Sequence, residues 1–203
     1  MITLYWSPQT RAARALWALE EVGADYDVKH IDIRAEGRTD PEEFHAASPL
    51  GKVPALVDGE AMVADSAAIA MYLGDRYAAG TLAPKLNDPA RGEYLFWLFF
   101  TPSVIEPAMA EKIAKLEPNP VSHGWGSFDR MIAALETRLG ENEWAAAGRF
   151  TMADLMLSGS IQFLTMFGLL DAPPVLRSYM DRCLARPAFA AAMARDKKET
   201  DAD

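Results

Sequence analysis

Ser7-Pro8-Gln9-Thr10 sets two hydroxyls between a short apolar run, Ile2 to Trp6, and a helical period that begins at Thr10. Ligands collect at this end of a strand in open α/β sheets, and a helix N-terminus offers N–H groups and a positive partial charge to an anion. Two duties are open to a hydroxyl here, stabilising a bound anionic atom or capping the helix. Downstream, Val53-Pro54 opens another β-favouring run. Proline gives a ladder no N–H, so the segment belongs at or near a sheet edge. A cis bond there would present the N–H and C=O of Val53 to an extended peptide. Asp65-Ser66 starts a further helix, where a hydroxyl and first-turn amides suit a carboxylate and Asp65 alone suits a cap.

Other chemistries find little support. His30, His45 and His123 are isolated, without the paired spacing of zinc or iron ligands, so no metal is expected. No glycine-rich phosphate loop is present. The one cysteine, Cys183, allows neither an internal disulfide nor a CxxC redox pair. Twenty Lys and Arg against 29 Asp and Glu leave a net charge of −9, which argues against nucleic acid or an anionic membrane as partner. The strongest apolar run, Tyr94 to Phe100, falls far short of the roughly 20 residues of a membrane span. With no basic, apolar leader at Met1, the expectation is a soluble cytoplasmic protein.

The elements that must position these residues change character near residue 79. Before it, strand Ile2–Trp6, helix Thr10–Val22 closed by Gly23 and strand Tyr26–Ile33 form a β-α-β unit, for which a parallel pair is expected. A polar loop over Arg34–Thr39 leads to a short helix at Asp40-Pro41-Glu42-Glu43, with proline at the first helical position. A hairpin about Asp58-Gly59 and a helix carrying Ile69, Leu73 and Tyr77 follow. After a Gly/Pro-bearing connector the periods are all helical: Pro89–Ile113, bent at Pro102 and Pro107; Ser122–Leu139; Ala153–Leu170, apolar nearly all round; and two shorter helices, 174–185 and 187–194. The charged tail 195–203 reads as frayed. The expected architecture is an α/β domain over 1–79, a linker over 80–88 and an all-α domain over 89–203.

Taken together, Tyr5-x-Ser7-Pro8-x-Thr10, Ser48-Pro49-Leu50-Gly51-Lys52-Val53-Pro54-Ala55-Leu56 and Asp65-Ser66-x-Ala68-Ile69-x-x-Tyr72-Leu73 resemble the cytosolic glutathione S-transferases. Gly148-Arg149-Phe150-Thr151-Met152-Ala153-Asp154 is similar to that family's capping motif before its buried helix, with Asp154 where a capping box usually has Glu or Gln. The resemblance covers nearly the whole chain. It implies a thioredoxin-like N-terminal domain followed by an all-helical bundle, usually as a homodimer, with glutathione as co-substrate and detoxification as the role. Val53 then pairs by its backbone with the cysteinyl unit, Pro54 is the family's cis proline, Ser66 meets the γ-glutamyl carboxylate, Asp65 faces the amine and Lys52 meets the glycyl carboxylate. Arg34 or Arg38 is available to help.

For the residue that activates the thiol, the resemblance offers Ser7, Tyr5 and Thr10. A cysteine-type site is excluded, since Thr10-Arg11 stands where the cysteine would be. Ser7 is favoured because Pro8-Gln9-Thr10-Arg11 continues as in the serine-type turn. A small apolar electrophile would be received by Trp6, Pro8, Trp97, Phe100 and Met109, with Tyr94 and Trp125 as further candidates; ordinary core packing is the competing assignment for each aromatic. A non-catalytic glutathione- or apolar-ligand-binding protein, and a glutathione-dependent isomerase, dehalogenase or peroxidase, are the alternative functions.

Overall fold

The structure is a computed structural model that describes residues 1–201. It divides into two compact units: residues 1–79 together with the chain from Arg186 onward, and residues 80–185. In the first unit, β1 (Ile2–Trp6), α1 (Ala12–Val22) and β2 (Tyr26–His30) give the parallel pair expected of a β-α-β segment. Then come α2 (Glu42–Ala47), the antiparallel hairpin of β3 (Ala55–Asp58) and β4 (Ala61–Ala64), and α3 (Ser66–Tyr77). The sheet order is β2-β1-β3-β4. Strand alternation sends Tyr5, Ala55 and Val57 to one face, where they pack with Phe44 and Ala47 of α2. The opposite face takes α1 and α3. Gly23 closes α1 at φ +63°, a left-handed turn that costs glycine nothing.

α2 departs from its expected start. Pro41 stands at the cap position, where its carbonyl accepts from the N–H groups of Phe44 and His45. Asp40 instead reaches Arg38 at 3.1 Å and His45 at 3.4 Å.

The second unit is helical: α4 (Arg91–Phe100), a π segment (Thr101–Ile105), α5 (Glu106–Ala114), α6 (Phe128–Glu141), α7 (Met152–Met166) and α8 (Pro174–Leu184). The bend expected from two prolines is a change of hydrogen-bond register. Neither Pro102 nor Pro107 can donate, and the N–H of Glu106 reaches back five residues to the carbonyl of Thr101. The connector is bound to this unit. Arg149 donates to the carbonyls of Thr81 (2.9 Å) and Gly80 (3.1 Å), and the N–H of Met152 donates to Leu82 (2.9 Å). Asp154 at the start of α7 is fully buried, with Oδ2 accepting from the N–H and hydroxyl of Thr151 and Oδ1 accepting from the N–H of Ala145 and the hydroxyl of Tyr179.

The C-terminal segment corrects the sequence expectation twice. α9 runs over Pro187–Asp201, so the tail from Arg195 to Asp201 is helical; residues 202–203 lie outside the described residues. The helix groups with the α/β unit, whereas the sequence assigned it to the helical one. Arg186 forks onto Glu21 of α1 at 2.6 and 2.7 Å, and Phe189 meets the Trp17 ring edge-on at 5.0 Å. The second half of α9 is mostly charged or polar, and the helix shows only a narrow apolar stripe. Here polar anchors complement it.

Cys183 on α8 is fully buried and its thiol is pushed up to about 12, chiefly by that burial. It is expected to resist a water-soluble thiol reagent near neutral pH in the folded protein and to react once urea unfolds the chain. Ready labelling of the native state would place the thiol at the surface.

Candidate functional site

Three chain segments meet at one end of the sheet because of strand direction. Tyr5, Ala55 and Ala64 stand in line across β1, β3 and β4. β1 and β4 run outward from that line to Ser7 and to Asp65-Ser66, and β3 enters it from Val53-Pro54. β2, parallel to β1, delivers the Arg34 loop to the same end, where Arg34 Nη1 lies 3.4 Å from the carbonyl of Pro8.

In the first segment the three candidate hydroxyls are in different states. Tyr5 is fully buried, and its hydroxyl donates to Glu43 Oε2 at 2.6 Å. Burial, with Glu43 beside it, pushes its pKa up, so the phenol keeps its proton and spends it on α2. Thr10 donates its one hydroxyl proton to the carbonyl of Ser7 at 2.7 Å and accepts from the N–H of Ala12 at 3.2 Å, the work of a helix cap. The N–H groups of Ala13 and Arg14 go to the carbonyls of Thr10 and Arg11, so the first three amides of α1 are all engaged. The Ser7 hydroxyl takes no part in these bonds. Ser7 is 1 % exposed, and the turn beyond it carries Gln9 at φ +57°. Pro8 is half-buried beside it.

In the second segment the Val53–Pro54 bond is cis, as the resemblance implies, and Val53 precedes the β3 ladder. Ser48 holds the approach: its hydroxyl donates to the carbonyl of Lys52 at 2.8 Å and accepts from its N–H at 3.0 Å. Arg38 donates to the carbonyl of Gly51 at 2.8 Å while paired to Asp40, so it braces this loop, leaving Lys52 exposed. Sequence reasoning missed Ser48 and Asp40 as supports, because nothing in the spacing ties residues 38–40 to 51.

In the third segment Asp65 caps α3, its Oδ1 accepting from the N–H groups of Ala67 (2.8 Å) and Ala68 (3.2 Å). It does so at φ +77° and ψ +133°, a conformation that costs a non-glycine residue about 1–3 kcal/mol and persists where surroundings demand it. Ser66 is 7 % exposed, and its hydroxyl oxygen is buried with no hydrogen-bond partner among the described residues.

The expected electrophile residues are not gathered on an open surface. Trp6 is fully buried, and its Nε1–H donates to Asp196 Oδ1 of α9 at 2.8 Å. Trp97 and Phe100 are buried in α4, where Trp97 meets the exposed Phe96 edge-on and lies tilted against Phe100, and Met109 is buried in α5. Tyr94 is fully buried, and Trp125 donates to Glu111 Oε2, which also lies 2.8 Å from His123 Nδ1. Among the described residues no group of three or more acidic, His or Cys side chains is placed to hold a metal ion, and no helix is long and apolar enough to cross a membrane.

Residues 1–75 match the glutathione S-transferase N-terminal domain and residues 90–182 the C-terminal domain of the same family. Glutathione S-transferase 3 of Schizosaccharomyces pombe is 30 % identical over 76 % of this chain and 70 % of its own. Glutathione S-transferase 3 of Zea mays is 27 % identical over 93 % and 91 %. Among solved structures, a sphingomonad glutathione S-transferase complexed with glutathione superposes with a TM-score of 0.79 at 27 % identity, covering 96 % of this chain and 98 % of that one. The chain belongs to the glutathione S-transferase family and is a glutathione transferase.

Proposed function

We propose that glutathione is bound across the three segments and that Ser7 activates its thiol for transfer to a small apolar electrophile. The observation that carries the reading is the buried, unpartnered hydroxyl of Ser66 at the N-terminus of α3. A buried hydroxyl left without a partner costs about 1–3 kcal/mol, and a carboxylate seated there removes that cost. In this reading Ser66 donates to the γ-glutamyl carboxylate and Asp65, exposed and strained outward, faces the amine. The Val53 backbone pairs with the cysteinyl unit, and Lys52 meets the glycyl carboxylate. Ser7 is the hydroxyl among the three whose proton is not already given to a neighbour in the turn or on α2. Pro8 beside it supports an apolar co-substrate. Family membership supports a homodimer working in cytoplasmic detoxification.

Ser66→Ala is expected to weaken glutathione about tenfold, corresponding to roughly 1.5 kcal/mol for one hydrogen bond to a charged group among several that remain. Isothermal titration of both proteins reads this directly. No heat with the parent protein at millimolar glutathione would overturn the site; equal affinities would remove Ser66 from it.

A further inference from the structure

We propose that Asp196, on α9, is a positioning residue for the transferase reaction, fixing the Ser7 hydroxyl through its hydrogen bond to the Trp6 indole. The inference rests on the reading of Ser7 as the residue that activates the thiol.

Trp6 is the last residue of β1 and directly precedes Ser7. Its backbone pairs with His30 of β2, and its carbonyl accepts from the N–H of Ile31 at 2.8 Å. Its ring is wholly buried, and the one polar atom of that ring donates to Asp196 at 2.8 Å across 190 positions of sequence. With backbone and ring both held, the Trp6 Cα is fixed, and Ser7 follows one peptide unit further on. Thr10 then holds the Ser7 carbonyl from the other side. The serine is thus clamped from both directions, by α9 upstream and by its own turn downstream.

The far end of the clamp is itself firm. α9 is anchored by the Arg186 fork on Glu21, by Phe189 against Trp17 and by Arg195, which pairs with Glu199 at 2.6 Å and lies over the Tyr26 ring. An indole N–H to a carboxylate is charge-assisted and directional, whereas an apolar residue at 196 would leave the N–H buried and unpartnered. Displacements near 1 Å at a reacting group cost about a hundredfold in rate, so a looser Trp6 is felt at the sulfur before it is felt in glutathione affinity.

Asp196→Leu, Asp196→Asn and Trp6→Phe are compared with the parent and with Ser7→Ala, by calorimetry with glutathione and by the pH dependence of thiolate absorbance in the bound state. Asp196→Leu is expected to bind glutathione within about threefold of the parent, yet to lose roughly tenfold in thiolate at neutral pH and in turnover. Asp196→Asn, which keeps an acceptor oxygen, should restore most of both. Trp6→Phe keeps an apolar ring and removes only the donor. It should reproduce the Leu result, and it carries the test if Asp196→Leu does not fold. Should Ser7→Ala raise the thiol's pKa while neither Asp196→Leu nor Trp6→Phe does, the positioning role is overturned and the Ser7 reading stands. Should Ser7→Ala leave the thiol unchanged, the Ser7 reading fails and takes this inference with it.

Discussion

Ser7→Ala is expected to slow conjugation roughly 10- to 100-fold near pH 7. A free thiol of the cysteine type has a pKa of about 8.5, so only a few per cent is thiolate at neutral pH, and the thiolate is the nucleophile. Lowering that pKa by two takes roughly 2.7 kcal/mol of preference for the anion. One hydroxyl hydrogen bond to sulfur supplies about 1.5–3 kcal/mol. The dipole of α1 adds up to about 1 kcal/mol; its first three amides are engaged by Thr10 and Arg11, so the hydroxyl carries the larger share. The sign of the pH effect follows. The variant's rate should rise with pH and recover most of its deficit near the ordinary thiol pKa, where sulfur ionises unaided. Tyr5→Phe should keep most activity, because the Tyr5 hydroxyl is already committed to Glu43 of α2. Rate profiles at saturating glutathione decide between them. A shifted profile in Tyr5→Phe and an unshifted one in Ser7→Ala would make the protein tyrosine-type.

What the sequence disclosed about this site was its chain-local part. The apolar run before Ser7, the proline after Val53 and the Asp-Ser pair at a helix start each mark their own backbone. Strand direction then brings them to one end of the sheet. What it concealed depends on pairing between distant positions, which leaves no periodic trace. Tyr5 and Glu43 are 38 apart, Arg38 and Gly51 are 13 apart, and Trp6 and Asp196 are 190 apart. Trp6 was for that reason placed among the residues that would receive the electrophile, whereas its ring is fully buried and bonded to Asp196. The same blindness assigned α9 to the wrong neighbour: its charged composition predicts an exposed, frayed tail, and only the partners Glu21, Trp17 and Trp6 explain why it stays helical to Asp201. Thr10, which the sequence left as a lesser candidate than Ser7, gives its hydroxyl proton to the Ser7 carbonyl, a bond no spacing reveals.

Asp154→Ala is expected to cost about 3–5 kcal/mol of stability, the effect of orphaning several buried donors after partial relaxation. The carboxylate ends four hydrogen bonds from three places: Thr151 at the start of α7, Ala145 in the loop before it and Tyr179 on α8. Burial raises its pKa and the four donors oppose that rise, so the group is costly in itself and worth keeping only while every donor is served. Asp154→Asn keeps one oxygen and turns an NH2 toward donors, so it should fall between the parent and alanine. Thr151→Ala removes a single hydroxyl and should cost about 1 kcal/mol. For a chain of this size each kcal/mol moves the melting temperature by about 2–4 °C, so alanine at 154 should melt roughly 6–20 °C lower. Activity per folded molecule, measured well below that temperature, should be little changed, since Asp154 lies in the helical unit and the proposed thiol chemistry in the other. A melting temperature within 2 °C of the parent would show that the loop before α7 and the Tyr179 hydroxyl find other acceptors, and that the network does not hold α7 to α8.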